Sequence, residues 1–117
     1  MSVLVLYDVT SDEGRVRLLI DDTQEPPLFT GEEIGEVLDL NQGSVLRAAA
    51  QLLLLIAGSE ARLSKKVTTQ DLATDGPAVA AELRAQAAAL RKQADDQDRA
   101  DTEAGGGFLD VIEFGAY

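Results

Sequence analysis

Apolar and polar positions alternate with a helical rhythm along most of the chain. Val16, Leu19 and Ile20 form an apolar stripe at helical spacing, and Thr10 with Glu13 three residues on reads as a capping box opening a short first helix. Asp21 and Asp22 are poor helix formers, and Pro26-Pro27 stiffens the loop that follows. Thr30 and Glu33 make a second capping box. Ile34, Val37 and Leu38 recur on one face, and Asn41-Gln42-Gly43 stops the helix. Ser44 caps a third helix predicted to run through VLRAAAQLLLLIAGSEARL. Val45, Leu46, Ala49, Leu52, Leu53, Ile56 and Ala57 cover most of its circumference, which marks a central helix.

The rhythm breaks at Ser64–Leu72, where Val67, Thr68 and Thr69 favour extended backbone, so this stretch reads as a loop or short strand. Asp75-Gly76-Pro77 then opens the longest helix, with an anionic cap and a proline in the first turn. Val79, Leu83, Ala87, Leu90 and Ala94 share one face of it. Beyond Ala94 the run DDQDRADTEA is polar and acidic, and either continues as solvated helix or frays. The expectation is an all-α fold, a small bundle of about four helices with extended N- and C-terminal segments. Residues 1–9 form the N-terminal segment, residues 10–104 the helical domain, and residues 105–117 a glycine hinge with a tail.

Composition narrows the chemistry. The chain has 117 residues, one domain in size, with 45% hydrophobic content but only 4% aromatic, so alanine supplies much of its apolar character. Helices packed closely through small interfaces follow from that. There is no cysteine, hence no disulfide framework and no thiolate metal site, and no histidine, the usual acid–base group near neutral pH. Ser44, Ser59 and Ser64 lack a base to activate them. Asp95, Asp96, Asp98 and Asp101 lack the glycine and closing glutamate of a calcium loop, and the glycine run precedes no lysine, as a phosphate loop requires. No catalytic residue, cofactor site or metal site is assigned, and an enzyme is not expected. No run reaches the length of a membrane span, and Met1–Tyr7 lacks the basic start and cleavage site of a signal peptide. A soluble, intracellular protein is expected.

The net charge is −11 and unevenly spread: residues 1–43 carry ten acids and two bases, residues 44–94 four acids and seven bases, residues 95–117 seven acids and one base. Acidic ends and a basic middle can pair within a subunit or between subunits. Such a charge argues against ordinary nucleic-acid binding. Lys65 and Lys66 are the one adjacent pair of lysines. They either complement the negative end of a helix or meet a polyanion or an acidic neighbouring subunit.

The sharpest feature is the ending GGGFLDVIEFGAY. Three of five aromatic residues lie there, behind Gly105, Gly106 and Gly107. As a strand, both faces are mostly apolar. It either folds back on its own domain, pairing with SVLVLY near the N-terminus, or adds to a partner through Phe108, Leu109, Val111, Ile112, Phe114 and Tyr117. The tether favours the second.

The order VRLLIDD, a proline loop, LFTGEEIGEVLDL, a long alanine/leucine helix ending AGSEARLSKKV, then TTQDLATDGPAVAAELRAQAAALRKQA resembles the head–tail connector (adaptor) proteins of long-tailed bacteriophages, particularly those of actinobacterial hosts. The likeness covers roughly Asp12 to Ala94 and is a helix pattern, not a catalytic fingerprint. It implies a helical structural protein of the virion neck, assembled in the host cytoplasm. Twelve copies would form a homo-oligomeric ring beneath the portal protein, a stopper or tail-completion protein would lie on the other side, and double-stranded DNA would pass through the lumen without sequence-specific binding. The C-terminal extension of such adaptors reaches the portal, which maps onto Gly105–Tyr117, and Lys65 and Lys66 would lie near the lumen or in subunit interfaces. The segment SVLVLY departs from the pattern.

Two other classes remain open. A small acidic helical interaction protein would mimic DNA or inhibit a host nucleic-acid enzyme, although the acids cluster at the two ends rather than along the long helices. A helical regulatory or antitoxin protein would fold its tail on binding.

Overall fold

The computed structural model describes residues 10–23, 25–69 and 76–104. They form five helices: α1 (Asp12–Ile20), α2 (Gly31–Leu40), α3 (Val45–Ala57), α4 (Glu60–Thr69) and α5 (Gly76–Ala104). No strand occurs among the described residues. The all-helical fold agrees with the pattern; the helix count differs by one. The expected extended segments, residues 1–9 and 105–117, lie outside the described residues.

The extra helix is α4. The third helix does not run on to Leu63 but stops at Ala57. Gly58 weakens the turn, and Ser59 competes for the backbone: its Oγ accepts from the Arg62 amide at 3.3 Å and caps a new helix. That helix then carries SKKVTT, the stretch predicted as a loop or strand. Leu63 packs against the core and Lys66, three residues on, is buried, so tertiary contact overrides the extended preference of Val67 and Thr68.

The first cap also falls one residue later than expected. Ser11, not Thr10, accepts from the Gly14 amide, and Glu13 turns to Arg17 instead of closing a box. Asp21, in the left-handed conformation with φ 59°, ends α1. The Thr30–Glu33 box is present in full at the start of α2. Gln42 and Gly43, with φ 54° and 79°, turn the chain into α3, where the Ser44 side chain accepts from the Arg47 amide. The acidic run past Ala94 continues as helix to Ala104. Asp96 helps hold it, pairing with Lys92 and Arg99 at i, i+4 and i, i+3 spacing.

Helix α3 is the central element and packs against α1, α2, α4 and α5. Ala48, Ala49, Ala50, Leu52, Leu53 and Ile56 are essentially inaccessible on it. They meet Val16 and Ile20 from α1, Ile34 and Val37 from α2, and Ala80, Leu83 and Ala87 from α5, with Phe29 closing one end. Leu19, expected on the buried stripe of α1, is exposed, and Arg17 takes an inward position instead. The α2 and α5 backbones do not approach each other; both pack on α3.

Candidate functional site

Two features stand out on the helical frame: a buried charge cluster at the junction of α1, the proline loop and α4, and an apolar groove between α2 and α3.

The cluster is built on Asp22. The left-handed turn at Asp21 brings its side chain inward, where Oδ1 accepts from the Leu28 amide at 2.8 Å and Oδ2 from the Phe29 amide at 3.2 Å. Arg17 donates to the same Oδ2 at 3.1 Å and to Glu13 at 3.2 Å. One carboxylate thus closes the proline loop on itself and fixes it to α1. Such groups are tolerable inside only because each is paired. Among the described residues no buried side-chain nitrogen or oxygen lacks a hydrogen-bond partner.

Lys66 belongs to this region. It is buried, and its Nζ donates to the Ile20 carbonyl at 3.3 Å, at the negative end of α1. Burial pushes its ammonium below the usual lysine range, opposed by the charges of Asp21 and Asp22. Lys65 is exposed, and its Nζ donates to the Pro27 carbonyl at 2.9 Å. The adjacent lysines therefore clamp α4 onto the α1 end and the proline loop. Lys66 points inward; Lys65 alone of the pair is exposed. Sequence reasoning gave no inward role to Arg17 or Asp22. The available signal was position: Lys66 falls three residues after Leu63, on the face that meets the core.

The groove is lined by Phe29, Glu33, Glu36, Val37, Leu40, Leu52, Leu55 and Arg62, and its volume is about 160 Å³. Leu40 is 68% exposed and Leu55 41% exposed. Arg62 lies 5.1 Å from the centre of the Phe29 ring and 3.7 Å from the Glu33 carboxylate, closing one end. The groove offers apolar contact inside an acidic rim. It was not visible in the pattern, since Leu40 and Leu55 sit on otherwise regular helices.

The acids at the far end of α5 serve the fold. Asp95 and Asp98 both receive Arg47 from the start of α3, and their hydrogen bonds hold its guanidinium above the usual arginine range. Hydrogen bonds from Lys92 and Arg99 hold the Asp96 carboxyl below the usual range. No group of three or more acidic side chains among the described residues is placed to hold a metal ion. No single described helix is long and apolar enough to cross a membrane. The tail residues Phe108, Leu109, Val111, Ile112, Phe114 and Tyr117 and the hinge Gly105–Gly107 lie outside the described residues.

Comparison with known proteins gives no match: no family model, no curated protein and no solved structure is significantly similar to this chain.

Proposed function

We propose that the chain is a structural head–tail adaptor of a long-tailed phage. In this reading it forms a ring, of twelve copies as in the family it resembles, between the portal and a stopper or tail-completion protein in the virion neck. DNA passes through the lumen, and the C-terminal tail docks on the portal through Phe108, Leu109, Val111, Ile112, Phe114 and Tyr117, with Gly105–Gly107 as hinge.

One observation carries the reading. Three segments of the resemblance fall on helices, VRLLIDD on the end of α1, LFTGEEIGEVLDL on the capping box and α2, and GPAVAAELRAQAAALRKQA on α5, whereas the long helix expected to end AGSEARLSKKV is divided at Gly58 into α3 and α4. The charge fits as well, since a net charge of −11 keeps a duplex from adhering to a passage it must traverse.

The test is capture by portal rings, followed by electron microscopy of the complex. A ring stacked under the portal is expected, and loss of head–tail joining on deletion of residues 105–117. No binding to portal overturns the adaptor reading; unchanged joining by the truncated chain overturns the tail-docking part. A pull-down from infected cells that returns a nucleic-acid enzyme instead of portal favours an acidic inhibitor.

A further inference from the structure

We propose that, within the ring assigned above and resting on that reading, the outer face of α2 in one copy docks against the flank of α5 in the next. Leu40 and Leu55 of the first would seat over the small residues beside Arg84 and Arg91 of the second.

The acidic partner surface is unusual for a helix. α2 carries Glu32, Glu33, Glu36 and Asp39 and no base in its last turn. Of these, Glu33 alone has an ion pair among the described residues, at 3.7 Å from Arg62. Glu36 and Asp39 lie toward the negative end of the helix, where an acid is unfavourable and a cation favourable. Within the chain these two acids have no described basic partner. Glu36 lines the groove with the exposed Leu40 and Leu55, and Asp39 lies beside Leu40 and Glu36. A partner that covers the leucines and brings cations satisfies both.

A second copy supplies that chemistry. Arg84 and Arg91 are seven residues apart on α5, two turns and about 10.5 Å along the axis. Glu32 and Asp39 are separated by the same seven residues on α2, with Glu36 between them on the same face. Arg91 is exposed, and among the described residues it makes no ion pair and Arg84 reaches only the Ala57 carbonyl, at 3.5 Å. Ala81 and Ala88, also seven apart and exposed, lie beside them. Small side chains there let a neighbouring helix approach closely and leave room for leucine.

Placement decides the symmetry. α2 and α5 each pack against α3 and have no backbone approach to each other, so one subunit presents the acidic and basic surfaces separately. Pairing α2 with α2 about a two-fold axis would set acid against acid. Unlike surfaces instead join head to tail, the kind of interface that closes into a ring.

Charge exchange tests this on the full chain. Variant one carries Glu36→Lys and Asp39→Lys, variant two Arg84→Glu and Arg91→Glu; circular dichroism checks that both stay helical. By sedimentation velocity each alone should self-associate at least tenfold more weakly than the parent. An equimolar mixture should recover association, because the reversed faces complement each other in alternation. Because the chain has no cysteine, the double variant Glu36→Cys with Arg91→Cys gives an independent readout. Oxidation should give a ladder of linked subunits on a non-reducing gel, and either single variant should not. Association that ignores the exchanges, a mixture without recovery from folded variants, or no ladder overturns the interface. A parent chain monomeric in isolation does so too. A chain that is captured by portal yet gives any of these results loses this interface only, whereas failure of capture strikes the adaptor reading.

Discussion

Arg17 and Asp22 face each other at 3.1 Å with side chains only 5% and 3% exposed. Asp22 also accepts from the Leu28 and Phe29 amides, so removing it leaves the buried guanidinium paired only with the half-exposed Glu13 and leaves two backbone donors unmet. Asp22→Ala should cost about 3–5 kcal/mol, the cost of breaking a buried pair. The same truncation at Asp12, whose pair with Arg15 is half exposed, should cost less than about 1 kcal/mol. Urea denaturation of the two variants measures the contrast.

Lys66 makes stability depend on alkaline pH. Its folded pKa is lowered by burial, so between that value and the unfolded value of about 10.4 the unfolded chain holds the proton more tightly. Stability from this group is therefore greatest above the unfolded value and is lost as pH falls through the folded one. Denaturation midpoints taken from pH 7 to 10.5 should show an upward contribution in the parent that Lys66→Met removes.

Ser59 starts α4, and α4 carries Lys65, which holds the proline loop, and Lys66, which holds the end of α1. Ser59→Ala should lower stability by about 1 kcal/mol through loss of the cap. Hydrogen exchange should report the loss first in α4.

Two leucines three residues apart on α3 should behave oppositely. Leu52 is fully buried, and Leu52→Ala should cost about 2–5 kcal/mol. Leu55 is 41% exposed. Leu55→Ala should leave the thermal midpoint within a few degrees of the parent while weakening self-association.

Much of the frame was legible in the residues. Thr30 with Glu33, Ser44, and the apolar series on α3 and α5 each combine local preference with periodicity, and both point the same way. α4 was hidden because SKKVTT has the wrong local preference, and only the docking of Leu63 and Lys66 makes it helical. The buried cluster was hidden for a related reason. No local pattern brings Arg17, Asp22 and Lys66 together; a turn at Asp21, a carbonyl at Ile20 and two loop amides converge on them only in the fold. The groove depends on the angle between α2 and α3, which no single segment encodes.

Ala94 is the last buried residue of α5, yet the helix goes on for ten more residues, a rise of about 15 Å. Asp95 and Asp98, held by Arg47, splint the base of this projection, and the Lys92–Asp96–Arg99 pairs brace it further along. It acts as an outrigger. The end of α5 stands off from the body by a distance set by helix length, so shortening α5 by one turn would retract Ala104 by about 5 Å with little change of direction.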